Sequence, residues 1–366
     1  MTTIGAEGGT AQPVADAQRL EVHSLAWLPG SRHLVVAAVQ SGSIQLYEVS
    51  LEGGEPRQIT HDLSRYMGIR ASADGKTLLA LQEQLLFTIQ VATPGKESET
   101  RTLSVGNQNR DGWNGLAWAP DGKIVYTSVH NGRYELWEMG PDGSNPQRLT
   151  KNDASSVFRY PAVSFRGGFI AFMQMDPDGR RNIWRMDMDG ADLKQLTEGK
   201  EDQYPAVSPD GQWAVFSRGE GGKDFLMKVP SGGGPASQLT DYNSVAPSVS
   251  PDGKWIACLY FPDQNQPPSM AMVPFAGGRP AKVFPIHITW TGVLFQWSLD
   301  SRAICFHDSV NGVDNIWEQP VAGGSPKMVT HFSSDRISWF DWSPDGRLAL
   351  SRGTDQTDAV LIRNFR

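Results

Sequence analysis

The sequence is poor in cysteine, with only Cys258 and Cys305 in 366 residues. Both stand in short apolar runs after a turn, Trp255-Ile256-Ala257-Cys258 and Ala303-Ile304-Cys305-Phe306, and read as small core residues. Matching positions on adjacent repeats lie too far apart for a disulfide, so no bridge is expected. Basic charge is not in excess either: 33 Lys and Arg face 40 Asp and Glu, a formal net charge of −7. That balance offers no general electrostatic grip on nucleic acid or anionic lipid. No apolar run approaches the roughly 18 residues of a membrane-spanning helix, and the opening Met1-Thr2-Thr3-Ile4-Gly5 has neither the basic nor the apolar region of a signal peptide.

Familiar catalytic motifs are missing as well. No serine sits in Gly-x-Ser-x-Gly, as a hydrolase nucleophile elbow requires. The phosphate loop, His-Arg-Asp and Asp-Phe-Gly segments of a protein kinase are also missing. The histidines, His23, His33, His61, His130, His287, His307 and His331, are scattered through different repeats without zinc-site spacing. Asp187-Met188-Asp189-Gly190 alternates oxygen ligands around a glycine, but the rest of a calcium loop is absent, so it reads as a hairpin turn; Asp176-Pro177-Asp178-Gly179 reads the same way. On this reading the chain as given is not an enzyme, and no catalytic residue, metal ligand or cofactor is assigned.

What the chain does have is 38 Gly, 24 Pro, 12 Trp and a repeat. A Ser-Pro-Asp-Gly turn followed by a short apolar strand is clear at Ala119–Gly122, Ser208–Gly211, Ser250–Gly253 and Ser343–Gly346. Weaker copies stand at Leu28–Ser31, Ser72–Gly75, Ser164–Gly167 and Ser298–Ser301. The fourth residues of these turns are 44, 47, 45, 44, 42, 48 and 45 apart, the length of one four-stranded propeller blade. Pro presets the turn, Asp bonds amides further on and Gly tolerates positive φ, so each copy predicts a hairpin between the first and second strands. An apolar column precedes the turns: Trp27, Ala71, Trp118, Val163, Val207, Val249, Trp297 and Trp342. A third strand carries Tyr47, Phe87, Trp137, Trp184, Met227, Ala271 and Trp317. Both columns read as packing between blades. A fourth strand ends in Gln58-Ile59-Thr60, Arg148-Leu149-Thr150, Gln195-Leu196-Thr197, Gln238-Leu239-Thr240 or Met328-Val329-Thr330. The expected fold is therefore an all-β propeller of eight four-stranded blades. Residues 17–22 would act as an orphan strand that completes the last blade and closes the ring. Residues 1–15 read as a flexible leader or linker, and 16–366 as one propeller domain.

With these turns and Gln-Leu-Thr endings, the chain resembles the TolB-like propellers built from WD40-like PD40 repeats. The ending Asp358-Ala359-Val360-Leu361-Ile362-Arg363-Asn364-Phe365 resembles propellers attached behind bacterial serine/threonine kinase or winged-helix domains. The resemblance implies a sensor or interaction module of a larger bacterial signalling protein. Such a module would be extracytoplasmic if it belongs to a membrane kinase and cytoplasmic otherwise.

Residues just ahead of the first strands are the candidate ligand site, because blades converge at the mouth of a propeller channel. They are His23, Arg65, Tyr66, Trp113, Asn114, Arg159, Tyr160, Gln203, Tyr204, Asp335, Arg336 and Trp339. Aromatic and Arg side chains at a concave mouth suit a protein or peptide partner or a small ligand; alternatively Tyr160-Pro161 and Tyr204-Pro205 simply pack blade tops. Two other readings stay open: a lyase or glycan-cleaving propeller enzyme with its site at the axis, and a purely structural scaffold.

Overall fold

The computed structural model describes the chain except residues 1, 4–6, 8–9, 11, 14–19, 31, 40–43, 63, 105–109, 131–132, 151–155, 165, 263–265, 286–294 and 366. It is an all-β propeller whose antiparallel sheets follow the repeats. Six sheets have four strands in sequence order, one from each of the first, third, fourth, fifth, sixth and seventh repeats. In the fifth, for example, Asp202–Val207, Trp213–Glu220, Lys223–Pro230 and Ser237–Gln238 pair in turn.

Each repeat signature has an identifiable bond behind it. In the first turn of the fifth repeat, the Ser208 hydroxyl donates to Asp210 Oδ1 (2.5 Å) and accepts the Trp213 N–H (3.0 Å), while Asp210 Oδ1 also accepts the Gln212 N–H. Gly211, at φ +73°, supplies the left-handed step. The same triangle recurs at Ser72, Ser250 and Ser298. The hydroxyls of Ser72, Ser208 and Ser298, with the amides beyond them, hold the Asp74, Asp210 and Asp300 carboxyls below their ordinary range, and Ser343 with Arg347 does the same for Asp345. The closing threonine has a comparable task. Its hydroxyl accepts a main-chain N–H from the third strand at Leu46–Thr60, Leu136–Thr150, Ile183–Thr197, Leu226–Thr240 and Ile316–Thr330, all within 3.1 Å.

The chain divides into two compact units. The first comprises Met1–Leu86, Asn131–Arg133 and Thr354–Arg366; Val35, Leu46, Ile69, Leu78 and Phe365 lie in its core. The second comprises Phe87–His130 and Tyr134–Gly353, with apolar clusters such as Ile170, Phe172 and Met186, or Val215, Leu226 and Ile256. Cys258 and Cys305 are free and buried in these clusters, where desolvation pushes each thiol up to about 12.

The structure departs from the expected blade pattern in the second and eighth repeats. Their second and third strands are continuous, as Thr77–Ala92 and Leu348–Arg363, and both long strands belong to one sheet. The reason is turn chemistry. The seventh repeat reverses at Asn311 and Gly312, both at positive φ, whereas Leu81-Gln82-Glu83-Gln84 and Thr354-Asp355-Gln356-Thr357 contain no glycine or proline. The orphan-strand expectation also changes. Glu21 and Val22 pair with Val39 and Ala38 in the first repeat's own sheet, while residues 17–19 lie outside the described residues.

First strands carry a further device, a bulge. Register shifts fall between Arg159 and Ala162, Gln203 and Ala206, and Val245 and Ser248. Within them Tyr160, Tyr204 and Ala246 hold φ of +57°, +52° and +56°, each followed by proline. A left-handed non-glycine residue costs roughly 1–2 kcal/mol. Bonds to the preceding repeat offset that cost: Tyr160 N–H donates to the Asn114 carbonyl (2.8 Å) and Ala246 N–H to Ser217 Oγ (3.0 Å). Gly115, at φ +127°, lies so close to the first of these bulges that a Cβ would stand 2.6 Å from Pro161 Cδ and 3.0 Å from Tyr160 Cα. We therefore expect Gly115→Ala to lower unfolding free energy by about 2–4 kcal/mol. Gly122→Ala, with open space around its Cβ, should cost only the left-handed penalty of about 1–2 kcal/mol. Chemical denaturation of both variants would check the difference, and equal losses would contradict it.

Candidate functional site

The first strands of the third to eighth repeats converge on a cavity of about 370 Å³, whose described lining residues all belong to the second unit. Pro161, Pro205 and Pro247 come from the bulges themselves. Val163, Val207, Val249, Trp297 and Trp342 come from the column before the turns, and Pro209, Pro251 and Pro344 from the turns. The column is thus a cavity wall as well as packing. Trp297 is held in place by its Nε1–H, which donates to the Ser248 carbonyl at 3.0 Å.

Among the described lining residues Asp341 is the one carboxylate. The half-buried side chain is fixed by two main-chain donors, Trp118 N–H to Oδ2 and Trp342 N–H to Oδ1, both at 2.8 Å. Removal from water favours the neutral acid and outweighs the two amides, which favour the anion, so its pKa rises to about 7. Among the described lining residues the other ionisable one, Arg166, is exposed. Among the described residues, no group of three or more His, Cys, Asp or Glu converges as a metal site.

The residues expected at the mouth behave differently from one another. Trp339 lines the cavity and stacks on Tyr160, with ring centroids 5.6 Å apart; Tyr160 in turn lies 4.4 Å from Tyr204. Burial raises the Tyr204 hydroxyl pKa. Tyr160 therefore stacks on Trp339 and packs at a tilt against Tyr204, while the prolines that follow the two tyrosines line the cavity. Asn114 accepts from Tyr160 N–H, Trp113 meets Phe87 edge-on at 4.5 Å, and the Arg159 guanidinium lies 5.0 Å from the Tyr134 ring centre. Gln203 accepts from Arg181 (3.2 Å), Arg336 pairs with Asp314 (2.9 Å), and Asp335 pairs with Arg352 (3.4 Å). In the first unit His23 is exposed, Arg65 pairs with Glu83 (2.7 Å), and the buried Tyr66 donates to Asp62 (2.5 Å). Sequence reasoning missed Asp341 and the prolines. The signal for Asp341 was its place where the third to sixth repeats carry Ala117, Ala162, Ala206 and Ser248.

Comparison with known proteins supports the fold. Residues 114–246 match the model of the TolB beta propeller domain, PD40. The crystal structure of TolB from Acinetobacter baumannii superposes with a TM-score of 0.53 at 14% identity, covering 92% of this chain and 79% of that one. The fold is that of a TolB-type propeller. An uncharacterized protein of Agrobacterium fabrum is 29% identical to the propeller over 203 residues, 52% of this chain and 67% of that protein. The uncharacterized peptidase YuxL of Bacillus subtilis is 26% identical over 181 residues, 48% of this chain but only 25% of the peptidase.

The peptidase relative corrects the expectation that the chain is not an enzyme. Missing local motifs do not place a propeller outside enzymes, because repeats of this kind occur within a protein named as a peptidase and because groups that meet at an axis leave no contiguous signature. No helix among the described residues is long and apolar enough to cross a membrane.

Asp341 also gives this unit a pH signature. Its pKa is raised on folding, so the stability it contributes is full below about pH 4 and is lost as pH rises through about 7. The turn aspartates, whose pKa values are lowered, act in the opposite sense and only in more acidic solution. The difference between 3.8 and about 7 corresponds to on the order of 4 kcal/mol. Asp341→Asn should therefore flatten the decline in unfolding free energy between pH 5 and 8 by a few kcal/mol. An unchanged slope would show that Asp341 is ionised at low pH.

Proposed function

We propose that the chain is a ligand-binding propeller whose site is the cavity of the second unit, and that it takes an apolar side chain of a protein or peptide partner or a small ligand of similar size. The observation that carries this reading is convergence: six repeats with different local sequences direct proline, valine and tryptophan side chains into one space of about 370 Å³. Ligand sites are commonly concave, mainly apolar and supplied with a few polar groups. A sensor or interaction role within a larger protein is part of this reading, motivated by the sequence of residues 358–365.

A second reading is favoured by Asp341. A carboxyl that titrates near neutrality inside an apolar cavity suits general acid or base work, and the peptidase relative keeps an enzymatic role in view.

Filling the cavity tests the first reading without removing a contact. Val207→Trp should abolish binding of peptides or small aromatic ligands detected by tryptophan fluorescence, and leave the unfolding midpoint within a few degrees of wild type. Undiminished binding by a folded Val207→Trp protein would place the ligand elsewhere.

A further inference from the structure

We propose that the cavity selects a ligand carrying one ammonium group on an apolar body, with the ammonium paired to Asp341; this deepens the binding reading above and rests on it. Three features of the wall support it. First, proline removes main-chain donors from much of it. Its six prolines, Pro161, Pro205, Pro209, Pro247, Pro251 and Pro344, have no main-chain N–H, so they supply carbonyl acceptors but no amides to an anionic ligand.

Second, Asp341 is preorganised and incompletely used. The two amide donors fix the carboxylate plane and occupy one acceptor position on each oxygen, leaving the others open to a ligand. Among the described residues no Lys, Arg or His pairs with it. Charged groups on the adjoining hairpins are engaged elsewhere: Lys123 with Asp121 and Glu138, and Arg347 with Asp345. Arg166, also in the lining, is exposed and interacts electrostatically with Asp210. An ionised carboxylate in such surroundings lacks a counter-charge, and a ligand cation would supply one.

Third, Trp297, Trp339 and Trp342 share the wall with the carboxylate. Aromatic faces and a carboxylate together favour a cation with an apolar body over a strongly hydrated one.

A matched series separates the possibilities: 2-phenylethylamine, 2-phenylethanol and 3-phenylpropionate, titrated into the full chain at pH 6 and pH 8. Binding is read by calorimetry on wild type, Asp341→Asn and Val207→Trp. The amine should bind wild type at least about tenfold more tightly than the alcohol. Its affinity should rise toward pH 8 as Asp341 ionises, and the propionate should not bind. Asp341→Asn should bring amine and alcohol to similar affinity; if that variant does not fold, the pH dependence in wild type carries the test. Equal binding of amine and alcohol to wild type, both abolished by Val207→Trp, would overturn the ammonium inference and leave the cavity reading intact. Binding that Val207→Trp does not affect, or no binding by any probe, would overturn both.

Discussion

The left-handed step in the first strands is the constraint on which the rest of the second unit depends. Tyr160, Tyr204 and Ala246 adopt a backbone conformation that costs a residue with a side chain free energy. In two of the three, the step aims an N–H at an acceptor on the preceding repeat. It also turns the following proline into the cavity. Without it, a two-residue alternation would run unbroken along each strand and carry the wall residues to other faces. Backbone strain, contact between neighbouring repeats and the lining of the candidate site are thus one feature.

This feature explains why the chain spends so much of its sequence on short signals. The serine, aspartate and glycine of each turn fix where the first strand ends, and the closing threonine secures the third strand against the fourth. Between those anchors the first strand varies, and that variation shapes the cavity. Val163, Val207 and Val249 leave space that Trp297 and Trp342 bound from other repeats. A rigid repeat frame with variable inward positions suits ligand recognition, since binding then costs little reordering.

Much of the fold was legible in the sequence because turn chemistry is local. Six of eight repeats became sheets of four strands, and the positive-φ glycines fell at Gly122, Gly211, Gly253 and Gly346, as the turns required. The second and eighth repeats were harder to read. A periodic spacing of first turns says nothing about the next reversal, and there the sequence supplies no residue suited to one. The site was less legible still. Tyr160 and Tyr204 read as ligand contacts because aromatic residues before a strand are conspicuous; in the structure their rings pack against each other at a tilt of 32°. The cavity-facing residues are their proline neighbours, displaced by a bulge that alternation alone does not reveal. Asp341 was hidden for another reason: it occupies a position that is alanine or serine in the third to sixth repeats, in a motif whose flanking residues drew attention to the turn.

The central claim is that Asp341 and the proline and tryptophan wall form one ligand site. A crystal structure of the chain with 2-phenylethylamine at pH 8 tests it most directly. The account predicts the ammonium nitrogen within about 3 Å of an Asp341 oxygen, with the phenyl ring among Pro161, Pro205 and Trp339. A ring seated there with its ammonium turned away from Asp341, or a ligand bound outside the cavity, would contradict it.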